Sequence, residues 1–213
     1  VRACDGKFKG HFSFKSMGET TRVLAGIQVD PETMKRLTGR QDVRSARAKV
    51  VFWIGCNLPR TSHLVLTLED IFEVLGLDCE VIGGLNNCCG VVHFGAGDNE
   101  TSGKIATNLK RTVEGLNPEI LLSWCPSCQI HYDEHLRRFR GFECRVEHVS
   151  KFLVDQLDLL AEKWVTRVEK KVAIHEHTGL EGAAENIRKI VAAIPGVSVV
   201  EVEQLSQYGY MCS

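Results

Sequence analysis

Lys49–Gly55 reads KVVFWIG and Ile120–Ser123 reads ILLS. From Val50 to Ile54 and from Ile120 to Leu122 every side chain is apolar. Successive strand residues point to opposite faces, so such runs must be covered on both sides. That predicts a mostly parallel sheet with helices over both faces. The intervening stretches carry helical periodicity. Thr61 or Ser62 opens a segment with Leu64, Leu68, Ile71, Phe72 and Leu75 at a 3.6 period, and Thr101 opens one with Ile105, Leu109, Val113 and Leu116. Glu80–Ile82 is expected as a short strand, Ser127–Phe139 as a helix, Arg145–Val149 as a strand and 150–163 as an amphipathic helix.

The strand–helix–strand order then returns: Lys170–His175 (KKVAIH), a helix over 181–193, and Val197–Val202. Lys49–Leu85 and Lys170–Leu205 read as two copies of one unit. The expectation is an α/β chain of three parts: a basic N-terminal leader over 1–48, a first unit over 49–168, and a partial second unit over 169–213. Residues 1–49 hold eleven Lys/Arg and five Asp/Glu, in a chain whose overall net charge is -1. The leader, with Phe8, Phe12 and Phe14 and a helix start at Asp30-Pro31, reads either as a solvated arm or as a segment docking on an acidic partner.

Composition narrows the function. In 213 residues, 44% are hydrophobic and 25% charged, which is globular usage. Near-neutral charge argues against a generic nucleic-acid binder. No apolar run reaches the roughly 20 residues of a membrane span, and no secretory signal opens the sequence. Val1 instead of Met implies a natural start that is missing here or processed. Gly95-Ala96-Gly97 lacks the third glycine of a dinucleotide fingerprint and no P-loop is present, so no bound nucleotide is expected.

Nine cysteines stand out: Cys4, Cys56, Cys79, Cys88, Cys89, Cys125, Cys128, Cys144 and Cys212. In a chain this rich in regular structure they read as metal-binding or redox thiols of a reducing, cytoplasmic compartment. Five follow strand ends. Cys56 follows the first strand, Cys88-Cys89 the second and Cys125 the third, with Cys128 three positions beyond. Loops after the carboxyl ends of parallel strands are where open α/β sheets bind ligands, so the five thiols should meet at one edge. Five buried thiolates repel one another, and a cationic iron–sulfur cluster resolves that conflict. A zinc site would use four and leave one over. A thioredoxin-like Cys-Pro-Ser-Cys site lacks a second proline nearby and leaves three unexplained. Buried apolar cysteines remain the simplest reading of Cys79 and Cys144.

The order Cys56, 31 residues, Cys88-Cys89-Gly90, 35 residues, Cys125-Pro126-Ser127-Cys128 resembles the cysteine-rich CCG domain found in the B-type subunits of the heterodisulfide reductase family. The resemblance extends to Ile54-Gly55, Gly97-Asp98 and Asn108. It implies a Rossmann-like repeat in which Cys56, Cys88, Cys89, Cys125 and Cys128 hold a noncubane 4Fe-4S cluster. It also implies an oxidoreductase subunit, active within a complex, that handles thiols or disulfides or relays electrons. Its partners would be ferredoxin-like iron–sulfur or flavoprotein subunits, with any membrane association made through them. Related domains occur in iron–sulfur subunits of lactate, glycolate and glycerol-3-phosphate oxidation, which gives an electron-transfer alternative; a non-catalytic interaction module is a third.

The second repeat departs from the pattern. Thr178 stands where the family has cysteine, Cys212-Ser213 where Cys-Cys-Gly would begin, and the last Cys-x-x-Cys is absent. One cluster is expected, not two. His175 and His177, two apart, are expected on one face of a strand without a metal role. His93 reads as a donor to a cluster sulfur or an ordinary loop residue, and Trp124 as a shield or as core.

Overall fold

The computed structural model describes residues 14–38, 49–175 and 179–201. Cys4, His177, Thr178, Cys212 and Ser213 lie outside them. Two compact units divide at Val146 and Glu147.

The first unit opens with α1 (Phe14–Gln28) and α2 (Pro31–Thr38). Asp30 caps α2 as expected, its Oδ1 accepting from the backbone N–H of Glu32 and of Thr33 at 2.9 Å each. This part of the leader is folded onto its own unit. Arg60 Nε donates to Thr21 Oγ1 at 3.2 Å, and the Arg36 guanidinium forks onto the Glu69 carboxylate.

β1 (Val50–Gly55) leads through a 3-10 turn at Leu58–Thr61 into α3 (Ser62–Val74) and β2 (Cys79–Gly83). A second 3-10 turn, Leu85–Asn87, precedes the cysteine pair. Then come α4 (Val91–Gly95), α5 (Asn99–Leu116), β3 (Ile120–Ser123) and α6 (Pro126–His131). α6 runs on through a π-helical turn, Tyr132–Leu136, into α7 (Arg137–Arg140), and β4 (Arg145–His148) follows.

The four strands lie in the order β2-β1-β3-β4. β1 is paired in parallel with β2 on one side and β3 on the other. Every β1 residue is buried. Val51 and Trp53 share a core with Leu109, Val113 and Leu116 of α5. Phe52, on the opposite face, meets Phe72 of α3 edge-on at 5.4 Å and 80°, an arrangement worth about 0.5–1.5 kcal/mol beyond burial. Helices therefore cover both faces, as the doubly apolar runs require. Along α3 Leu68 and Phe72 are buried as expected, but at the start of the helix Val65 is buried while Leu64 is exposed.

Strand order positions the site. The chain goes from β1 to β2 on one side, then returns to place β3 on the other. The direction reverses between β1 and β3, and a crevice at such a switch point opens beyond the carboxyl ends of the strands. Gly55 and Ser123, the last residues of these two strands, are followed within two residues by Cys56 and Cys125.

The second unit contains α8 (Val149–Asp155), α9 (Leu157–Ala161), β5 (Lys170–Ala173), α10 (Ala183–Ala193) and β6 (Val197–Val200). The helix expected over 150–163 is broken at Gln156. β5 and β6 pair in parallel with α10 between them, a strand–helix–strand unit. β5 stops at Ala173, so His175 follows the strand instead of lying on it.

Candidate metal centre

Three loops bring five sulfurs together. Cys56 hydrogen-bonds Cys88, Cys88 bonds Cys89, Cys89 bonds Cys128, and Cys128 bonds Cys125. This unbroken chain of sulfur contacts joins residues up to 72 positions apart. Cys88 and Cys89 are 0% exposed and Cys128 3%, while Cys56 and Cys125 are half-buried. The assembly thus has a sealed side and an open one.

Backbone geometry sets these positions. Gly55 ends β1 at φ +66, and a Cβ there would lie 3.3 Å from Cys128 Sγ. Gly55 carbonyl oxygen accepts from Gly84 N–H at 2.9 Å, drawing the first loop onto the second. Trp53 Nε1 donates to Asn87 carbonyl oxygen at 2.7 Å, and Asn108 Nδ2 to that of Asn86. Gly90, at φ +87, has no room for a side chain because Ser102 of α5 crosses within 2.8 Å of where its Cβ would be. Its N–H reaches Cys88 Sγ at 3.5 Å.

The thiols divide into two electrostatic classes. Cys88 is held as thiolate, down to about 3, by hydrogen bonds from Cys56 and Cys89, then by Gly90 N–H and the nearby His93. Cys125 is lowered to about 6, chiefly by the Cys128 hydrogen bond and also by the N–H groups of Cys128 and Ser127. Cys56 is raised, first by its hydrogen bond to Cys88 and then by burial. Cys128 rises through its hydrogen bonds to Cys125 and Cys89, with burial adding to them. Cys89 is raised too: a hydrogen bond from Cys128 lowers it, but its bond to Cys88 and its burial outweigh that. Protonated neighbours thus stand in for positive charge.

The donor set suits a group that supplies that charge itself. Five soft sulfurs around one crevice exceed what a single tetrahedral ion takes, and thiolates are the ligands of iron–sulfur clusters. Among the described residues, no three His, Cys, Asp or Glu side chains are arranged to hold one metal ion.

The outer residues fall into place less evenly. Cys79 and Cys144 lie outside the sulfur chain; burial raises both thiols, Cys79 to about 12. His93 Nδ1 sits 3.5 Å from Asp98 Oδ2. Trp124 is half-buried, its N–H donating to the Trp53 carbonyl oxygen at 3.1 Å. His131 escaped the sequence reading. It is 3% exposed, and Phe94 and His135 lie against it at 5.0 and 5.3 Å. The available signal was its place three residues after Cys128, on the same helix face.

Fold and site together define an α/β protein that gathers five thiols at the switch point of a parallel sheet. Residues 50–133 match the family model described as CCG, cysteine-rich domain, in keeping with the resemblance carried by the cysteine spacing. The chain is 25% identical over 181 residues to the D-type subunit of dihydromethanophenazine:CoB–CoM heterodisulfide reductase from Methanosarcina acetivorans, which covers 80% of the chain and 44% of that protein. The Methanosarcina mazei protein of the same name is 25% identical over 175 residues, 78% of the chain and 43% of the relative. The B-type subunit of fumarate reductase (CoM/CoB) from Methanothermobacter marburgensis is 26% identical over 164 residues, 75% of the chain and 32% of the relative. The chain spans less than half the length of these curated relatives. No solved structure matches it. Among the described residues, no helix is long and apolar enough to cross a membrane.

Proposed function

We propose that this chain is an iron–sulfur redox subunit of a heterodisulfide-reductase-like complex. Cys56, Cys88, Cys89, Cys125 and Cys128 hold one noncubane 4Fe-4S cluster. The observation that carries this reading is the unbroken chain of sulfur contacts across three loops. Bound there, the cluster supplies one-electron chemistry and iron sites for a thiol or disulfide sulfur. The protein's own part is to bury Cys88, Cys89 and Cys128 away from water and to leave the Cys56–Cys125 side accessible. A sulfur substrate or an electron partner would approach from that side. Its partners would be ferredoxin-like or flavoprotein subunits in a cytoplasmic, reducing setting; what supports redox partners is that the relatives are reductase subunits by name.

Similarity to a fumarate reductase subunit supports a second reading, in which the chain relays electrons and touches no substrate. Anaerobic reconstitution followed by iron and sulfide counting tests the cluster, with four of each per chain expected by the noncubane 4Fe-4S assignment. Colourless protein that takes up zinc alone would refute it. Electron paramagnetic resonance with and without an added thiol separates the two roles. A thiol-dependent change of spectrum supports sulfur binding, whereas an unchanged spectrum favours the relay.

A further inference from the structure

His131 is a buried imidazole with both ring nitrogens sealed from solvent, and among the described residues neither has a hydrogen-bond partner. More than nine in ten buried polar groups in native proteins are satisfied, and an unmet buried N–H costs about 1–3 kcal/mol. A neutral imidazole carries one donor and one acceptor. Burial, followed by the His135 charge, lowers the His131 pKa and favours the neutral ring, which has one N–H to place.

The ring lies where the two sulfur-bearing segments meet. α6 begins directly after Cys125 and contains Cys128, one turn before His131. α4 begins directly after Gly90 and contains Phe94, whose ring packs on His131 at 5.0 Å and on His135 at 4.4 Å. The Cys88 thiolate acts on the ring electrostatically, drawing it toward a positive character. Phe94 offers no acceptor, and His135 is turned to Glu134, its Nε2 lying 3.7 Å from Oε2.

We propose that His131 donates its N–H to a sulfur of the cluster centre on the Cys88 side, and thereby raises the centre's reduction potential. The inference rests on the cluster reading given above. A donor to sulfur stabilises the more negative, reduced state, and hydrogen bonds to the sulfurs are among the forces that set such potentials. No proton is transferred; the effect is electrostatic.

Reconstituted wild-type protein is compared with His131→Phe, which keeps a ring but has no donor, and His131→Gln, which keeps an N–H. Iron and sulfide content, melting temperature and an electron paramagnetic resonance redox titration are read for each. At the potential where the wild type is half reduced, the ratio of reduced to oxidised His131→Phe should fall about tenfold, the weight of one hydrogen bond to a charged group. His131→Gln should recover part of that loss. Should His131→Phe not fold, the comparison is read between His131→Gln and His131→Met, side chains of similar length with and without a donor. Equal potentials at equal iron and sulfide content would overturn this inference alone and leave His131 a packing residue. Wild-type protein that takes up no iron and sulfide would overturn the cluster reading, and this inference with it.

Discussion

The indole nitrogen of Trp53 donates to the carbonyl oxygen of Asn87 across 2.7 Å of protein interior. Trp53 belongs to the central strand and Asn87 immediately precedes the cysteine pair, so one buried bond ties sheet to loop. Trp53→Phe preserves most of the apolar volume but leaves that carbonyl unmet. The loss should be about 1–3 kcal/mol in denaturant-monitored unfolding, accompanied by weaker retention of iron under a chelator. Unchanged retention in a destabilised variant would show that the loop holds its shape without the indole.

Gly55 and Gly76 allow strain to be separated from site geometry. Both have positive φ, +66 and +69, so alanine at either strains the backbone by roughly 1–3 kcal/mol. The positions differ in what a new methyl group meets: nothing within 4 Å at Gly76, but Cys128 Sγ at 3.3 Å at Gly55. Gly55→Ala should therefore lose iron binding as well as stability, while Gly76→Ala loses stability only. Iron content measured beside the unfolding midpoint distinguishes them.

Cys144 packs against the sulfur core without joining the sulfur chain, and Cys79 stands at the opposite end of β2. Cys79→Ala and Cys144→Ala should bind iron as the wild type does, whereas Cys88→Ser should lose most of it. A Cys144→Ala protein with reduced iron and an intact fold would extend the ligand set beyond five.

The doubly apolar runs at β1 and β3 carried the parallel sheet because burial on both faces leaves a strand no polar positions. Cysteine spacing carried the convergence, since loops after parallel strands share one edge. Other features were hidden for physical reasons. Whether Leu64 or Val65 faces the core depends on where α3 begins, and the 3-10 turn at Leu58–Thr61 fixes that start. Gln156 interrupts the helix after β4 with no glycine or proline to announce it. His131 looked like any helical polar residue. Its isolation comes from Phe94, 37 positions earlier, which only the folded chain brings against it.

Alkylation of the iron-free protein should follow thiol electrostatics. Burial, then the charge of Glu69, pushes Cys79 up to about 12, whereas Cys125 is lowered to about 6 and stays half-buried. Only thiolate reacts. At pH 8 Cys125 is ionised and reachable, so iodoacetamide should label it early. Cys79 then has about one part in ten thousand as thiolate, and should react about a thousandfold more slowly than in unfolded chain at the same pH. The signs are opposite. Labelling of Cys125 declines as pH falls through about 6, and that of Cys79 climbs about tenfold per unit until pH nears 12. Burial that favours the neutral Cys79 thiol also stabilises the fold fully below pH 9, the ordinary thiol value, and this contribution is lost as pH rises through about 12. Peptide mapping by mass spectrometry reads both rates in one experiment. Early labelling of Cys79 at pH 8 would mean that the β2 entrance opens to water far more often than its packing implies.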